Sequence, residues 1–183
     1  MPDKRTHRGP HPEDHELFAR SIWPKLVHAV HDLSWLLSRG YADASSLKLV
    51  GDRHGLTQRQ RMAVMRCACS DAALAERAKK MMPLSQLAGR TLLLDGYNVL
   101  TTLESALARG VVLAARDGCF RDIASMHGTY RKVQETQPAI NLMGEKLMKA
   151  KIERCQWYLD RPVSNSGRLK KIVLDIAAQQ GWN

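Results

Sequence analysis

Three apolar runs in the second half of this chain each end on an aspartate. Leu92-Leu93-Leu94 stops at Asp95, Val111 to Arg116 stops at Asp117, and Cys155 to Leu159 stops at Asp160. Short apolar runs read as buried parallel strands, and open α/β sheets bind their ligands beyond the carboxyl ends of such strands. As neighbours in one sheet, these runs would bring three carboxylates to one rim. Such a group resists full ionisation without a cation, and Mg²⁺ or Mn²⁺ suits an all-oxygen donor set. The chemistry expected is metal-assisted attack of water on a phosphodiester, with Asp95, Asp117 and Asp160 as ligands and catalytic groups.

Other residues are placed to support that rim. Asn98 follows Asp95 at a spacing that lets both side chains reach one metal or its waters, with Gly96 allowing the backbone to turn between them. Glu104 either points back toward the rim as a further metal ligand or is a solvated helix residue. Asp117 precedes Gly118, so a DG turn competes with the metal reading. Asp122 either joins the cluster or caps the following helix. After Asp160, the residues Ser164, Asn165 and Ser166 precede Gly167 and put polar groups and backbone N–H donors at a helix start. That arrangement suits a phosphate, and Arg161 and Arg168 flank it with charge. The competing reading is a capping loop with Ser166 as N-cap.

The first half offers less. Arg59 and Arg61, with Arg66, make a basic helix start after the His54 loop and are candidates for tracking the phosphates of RNA; a solvated helix face is the commoner use of such charges. His28 and His31 lie three apart with no third ligand evident. Trp23 and Trp35 fall within an apolar helical pattern and read as core or inter-domain contact rather than base-stacking residues.

These groups need elements to hold them. Phe18, Ile22, Leu26, Val30, Leu33 and Leu37 form one amphipathic helical stripe, which Pro24 should kink or divide. Ser45 to Val50 is ambiguous between turn and short strand. Thr57 reads as the N-cap of a helix, and Ala72 to Met82 as another. From Thr91 the pattern changes to strand–helix alternation. Helices are expected near Thr102–Ala108, over Arg121–Glu135 and Ala139–Lys151 around Pro138, and from Arg168 to about Gln180. Residues 1–10 carry no periodic pattern and read as a mobile or loosely docked arm.

Composition bounds the rest. The chain has 183 residues, 44% of them hydrophobic, and a formal charge of +10. It can therefore bury a core, and its basic balance fits a polyanionic partner. Residues 1–90 hold 15 basic against 9 acidic side chains and the remainder 13 against 9, so the first part is the more basic. The four cysteines show no framework spacing and read as reduced thiols. No run approaches membrane-spanning length and the start is not a signal peptide, so a cytoplasmic protein without a membrane partner is expected.

The stretch Leu92-Leu93-Leu94-Asp95-Gly96-Tyr97-Asn98-Val99-Leu100 resembles the opening strand of PIN-like and NYN-type ribonuclease domains. In those domains such an aspartate helps bind a divalent cation. A wider resemblance rests on Arg8 to Pro12, Leu33 to Tyr41, Leu49 to His54, Arg116 to Cys119 with Arg121-Asp122, His127 to Tyr130, and Pro162 to Arg168. These look like an uncharacterised prokaryotic family, domain of unknown function 434 joined to a C-terminal domain of equally unknown role. The resemblances imply an α/β fold: a basic, mainly helical N-terminal domain over residues 1–90, then a small parallel-sheet, PIN-like three-layer domain over residues 91–183 with at least three strands. They also imply a further strand, bearing another acidic residue, beyond the last helix. The sequence ends at Gly181-Trp182-Asn183 without it, and the exposed sheet edge would invite a second copy.

The function expected is a divalent-metal-dependent ribonuclease using Mg²⁺ or Mn²⁺. The alternative is a non-catalytic RNA-binding or assembly module with a degenerate site. Haloacid-dehalogenase chemistry is set aside, since it needs a second aspartate where this chain has Tyr97. No Walker loop, dinucleotide-binding glycine pattern or nucleophile elbow is present.

Overall fold

A computed structural model of the chain describes residues 7–124 and 130–182. Elements are numbered here in chain order. The residues divide into two compact units, one formed by Pro10–Met81 with Val111–Ile123, the other by the described parts of Met1–Gly9, Met82–Gly110 and Ala124–Asn183.

The first unit is mainly helical. It contains α1 (Asp14–Leu17), a 3-10 turn at Arg20–Ile22, α2 (Trp23–Ser38), α3 (Asp43–Arg53), α4 (Gln58–Cys67) and α5 (Asp71–Lys80). At Pro24 the apolar stripe is divided rather than kinked, with a 3-10 turn ending at Ile22 and α2 beginning at Trp23. The proline falls in the first turn of α2, where its missing N–H is one of the unpaired donors anyway and its fixed φ suits the helix. The ambiguous Ser45–Val50 stretch is helical, within α3. Thr57 caps α4 as expected, accepting from the Gln60 N–H while the Gln60 side chain returns to the Thr57 N–H. Ala29, Leu33, Val50, Leu56 and Val64 form this unit's core.

The same unit includes an antiparallel hairpin, β2 (Val112–Ala114) with β3 (Phe120–Asp122). This corrects the expectation of three neighbouring parallel strands. The run ending at Asp117 turns back on itself instead: Gly118, at φ +77°, donates to the Ala115 carbonyl, and the Ala115 N–H donates to the Cys119 carbonyl. The DG turn wins because glycine reaches a left-handed backbone at no steric cost. It also ends the helix expected over Arg121–Glu135. Arg121 and Asp122 lie in β3, Tyr130 to Val133 are not helical, and residues 125–129 lie outside the described residues.

The second unit is α/β. It contains β1 (Thr91–Asp95), α6 (Gly96–Leu107), α7 (Thr136–Lys149), β4 (Arg154–Tyr158) and α8 (Ser166–Gln180). Strands β1 and β4 pair in parallel, with Thr91 opposite Arg154 and Asp95 opposite Tyr158. Tyr97, Leu100, Tyr130, Ala139, Ile140, Leu169 and Ile176 form the core, with Trp157 and Leu159 packed against it. The expected loose arm is firmly held where it is described. Arg8 is 6% exposed and its guanidinium reaches the buried Glu104 carboxylate at 2.9 Å. No described helix is long and apolar enough to cross a membrane.

Candidate functional site

The carboxyl ends of β1 and β4 place two of the three expected aspartates together at one end of the parallel pair. Asp95 is the last residue of β1, opposite Tyr158, and Asp160 follows Tyr158 by two positions. Both are exposed. Asp95 is also the N-cap of α6: Oδ1 accepts from the Asn98 N–H at 3.3 Å, and Oδ2 accepts from Asn98 Nδ2 at 2.6 Å. The spacing of Asp95 and Asn98 therefore does join them, by a cap and an amide contact that hold the carboxylate still.

Gly96 serves this geometry differently from the way the sequence suggests. It has no positive φ. A Cβ there would meet Leu159 Cδ2 at 2.7 Å, Trp157 Cε3 at 2.9 Å and the Tyr158 carbonyl oxygen at 3.0 Å. Glycine is needed so that the start of α6 can press against β4, which fixes the distance between the two strand ends.

Tyr97 is the residue that sequence reasoning missed. Its ring is buried at 2% exposure, and among the described residues its hydroxyl finds no hydrogen-bond partner of good geometry. Burial and then the neighbouring Asp160 carboxylate push that hydroxyl's pKa up, while the nearby Ser166 hydroxyl pulls the other way. An unpaired polar group at such depth is uncommon and costly. Standing between Gly96 and Asn98 outside any apolar period, it gave no sign of burial in the sequence.

The remaining expected ligands are engaged elsewhere. Glu104 is fully buried and accepts from Arg8 Nε, Tyr130 Oη and Thr136 Oγ1. Asp117, in the helical unit, accepts from both terminal nitrogens of Arg121, from Arg77 and from the Cys119 N–H. Those hydrogen bonds hold its carboxyl well below the usual range despite burial. Asp122 is buried in the hairpin with Arg66 beside it. Among the described residues, no group of three or more His, Cys, Asp or Glu side chains stands ready to hold a metal ion.

The basic residues sort in an unexpected way. In the helical unit Arg59 pairs with Asp14, Arg61 with Asp52, Arg116 with Asp71, and Arg77 and Arg121 with Asp117. Arg61 also lies against Gly51 and donates to the Leu56 and Lys48 carbonyls. Neither Arg59 nor Arg61 is left open for a phosphate. In the α/β unit, by contrast, Lys146, Lys149, Lys151, Arg154, Arg161, Arg168, Lys170 and Lys171 form no ion pair among the described residues. The part with fewer cations in its sequence carries the more open positive surface.

The phosphate-loop residues lie where expected, at the start of α8, though with altered roles. Asn165, not Ser166, occupies the N-cap position, in a left-handed conformation at φ 68° and without a capping side chain. Its Nδ2 donates instead to the Tyr130 carbonyl at 3.2 Å, and the Tyr130 N–H donates to the Ser164 carbonyl at 3.2 Å.

Comparison with known proteins places this arrangement in a family. Residues 84–183 match the domain of unknown function DUF5616, and residues 25–80 match the protein family of unknown function DUF434. The chain belongs to the DUF5616 family, with a DUF434 segment before it. An uncharacterized protein of Methanocaldococcus jannaschii, MJ0935, is 31% identical over 145 residues, covering 79% of this chain and 69% of the relative. No solved structure matches the chain. The DUF5616 segment contains β1, β4 and the whole Asp95–Asp160 rim, so the rim belongs to one family unit.

Proposed function

We propose that the α/β unit is a PIN-like, divalent-metal-dependent ribonuclease that hydrolyses RNA phosphodiesters at the Asp95–Asp160 rim. The observation that carries this reading is the parallel pairing of β1 with β4, which sets both carboxylates beyond the carboxyl ends of adjacent strands, the usual ligand position of an open α/β sheet. The likeness of the Asp95–Asn98 stretch to the opening strand of PIN-like and NYN-type nucleases supports it, as does the open positive surface of the same unit.

The rim residues fit a hydrated Mg²⁺ or Mn²⁺. Two exposed carboxylates, one of them fixed by an amide, supply hard oxygen donors, and Mg²⁺ commonly takes only one or two carboxylates while water and phosphate oxygens complete its shell. When bound, the ion would lower the pKa of a water and neutralise charge on the leaving oxygen. Asp95 and Asp160 would hold it, Asn98 would orient Asp95, and the buried Tyr97 hydroxyl, close to Asp160, would orient that carboxylate. Arg161 and Lys170 would neutralise the RNA backbone.

The test is cleavage of labelled single-stranded and structured RNAs with Mg²⁺, Mn²⁺ or EDTA, beside Asp95→Asn and Asp160→Asn. Metal-dependent cleavage should be lost in both variants; undiminished cleavage in either removes the assignment. A second reading, RNA binding without cleavage, is favoured by the engagement of Asp117, Asp122 and Glu104 elsewhere. Salt-sensitive binding that ignores EDTA, with no product, would select it.

A further inference from the structure

A small cavity of about 330 Å³ lies beside the start of α8, lined by Tyr130, Arg131, Lys132, Asn165, Arg168 and Leu169, with Ile172 completing it. Three of these residues are cations, and none forms an ion pair among the described residues. We propose that this cavity is a receptor for a terminal phosphomonoester, the 5′- or 3′-phosphate end of an RNA chain, separate in its residues from the Asp95–Asp160 rim. The inference deepens the RNA reading of the α/β unit and rests on it.

Three lines of physics converge on a dianion. First, three cations line one small cavity with no ion-pair partner among the described residues, so an anion entering it is attracted by all three without displacing a carboxylate. Second, Arg168 occupies the first turn of α8, the positive end of a 15-residue helix dipole, where a cation is disfavoured. No acidic residue in that turn offsets it, and the N-cap side chain is turned away to the Tyr130 carbonyl. Third, hydrogen bonds hold the wall in place. The Tyr130 N–H to Ser164 carbonyl bond and the Asn165 to Tyr130 carbonyl bond clip the 130 segment to the helix start, and Arg8 Nη2 donates to the Arg131 carbonyl at 3.4 Å.

Charge and size then select the ligand. An internal phosphodiester carries one negative charge, whereas a terminal monoester carries about −1.5 to −2 at neutral pH. Three cations match the second better. The volume lies at the low end for small-molecule sites, enough for a phosphate with part of its nucleoside and too little for a strand to pass through. Leu169 and Ile172 supply an apolar floor for the ribose or base.

The test compares one RNA oligonucleotide with 5′-hydroxyl, 5′-phosphate and 3′-phosphate ends, by fluorescence anisotropy with the full chain in EDTA. Adenosine and adenosine 5′-monophosphate are titrated in parallel by calorimetry. One phosphorylated end should bind about tenfold or more tightly than the hydroxyl form. The monophosphate should bind where adenosine does not. Lys132→Ala and Arg168→Ala should bring the forms close to parity, while Arg168→Lys retains part of the preference. All three side chains are exposed, and an unchanged circular dichroism melt would show that the fold is intact. Equal affinity for all ends, with no monophosphate binding, overturns the inference and leaves the rim reading standing. Arg168-dependent monophosphate binding without cleavage of any RNA would uphold the pocket and sink the nuclease.

Discussion

Arg8 and Glu104, 96 positions apart, form a 2.9 Å ion pair that water scarcely touches: their side chains are 5% and 0% exposed. Glu104 also accepts from Tyr130 Oη at 2.7 Å and Thr136 Oγ1 at 2.5 Å, so both carboxylate oxygens are satisfied. Burial and the carboxylate together push the Tyr130 hydroxyl well above its usual pKa, which keeps it a donor throughout the physiological range. The pair joins the start of the chain to α6 and to the segment leading into α7.

Removing one partner strands the other. Arg8→Ala should destabilise the α/β unit by about 3–5 kcal/mol, because Glu104 then stays buried without its counter-charge. Glu104→Gln should cost less than Arg8→Ala, since the amide still accepts from Tyr130 but presents a donor to Arg8. Combining Arg8→Ala with Glu104→Gln should cost less than the sum of the two single changes. Urea midpoints of the four proteins check this, and additive losses would show that the two residues are not coupled.

Asp117 makes a prediction about pH. Its folded-state pKa is depressed, chiefly by the hydrogen bonds from Arg121, so the contribution is complete above the unfolded value of about 3.9 and is lost as pH falls toward the lower folded value. Asp117→Asn should therefore lower stability at pH 7 by about 1.5–3 kcal/mol, the range for charge-assisted hydrogen bonds. Denaturation of both proteins should show a constant gap from pH 7 to 5 that narrows below pH 4. A gap that widens on acidification would contradict the pairing. An Asp117 that served as an essential metal ligand would instead leave stability alone and abolish cleavage.

Local signals were legible in the sequence, and pairings across the chain were not. The Thr57 cap needs only Gln60 three residues on, and β1 and β4 announce themselves as short apolar runs. The start of α8 was likewise marked by its polar residues. The run before Asp117 has the same composition as a parallel strand, and only its Gly118 turn decides that it pairs antiparallel with β3. Arg8 looked like part of a loose arm because its partner lies 96 residues away. Total charge misled in the same manner. It made the first ninety residues look the better RNA surface, but Asp14, Asp52 and Asp117 neutralise Arg59, Arg61 and Arg77 there.

Gly96 ties packing to the rim. Alanine would raise helix propensity by about 1 kcal/mol, yet its Cβ would press on Leu159, Trp157 and the Tyr158 backbone. Overpacking costs about 1–3 kcal/mol, so Gly96→Ala should be net destabilising. It should also part Asp95 from Asp160 and reduce cleavage more than its effect on melting temperature would explain. A variant as stable and active as the parent would mean that the strand ends tolerate the shift and that their spacing is not critical.

Tyr97→Phe separates a structural role from a chemical one. The hydroxyl is buried and finds no hydrogen-bond partner of good geometry among the described residues. In the unliganded protein it contributes desolvation cost with no return, so phenylalanine should leave the fold unchanged or stabilise it by up to about 1 kcal/mol. The aromatic contact with Tyr130, with ring centroids 5.5 Å apart, survives the change. If the hydroxyl orients the neighbouring Asp160 carboxylate when metal and RNA bind, the same variant should lose about tenfold in cleavage. A residue that becomes more stable and less active on losing one oxygen is there for a ligand. Were stability to fall instead, with activity following in proportion, Tyr97 would be a core residue and the rim would rest on Asp95, Asn98 and Asp160 alone.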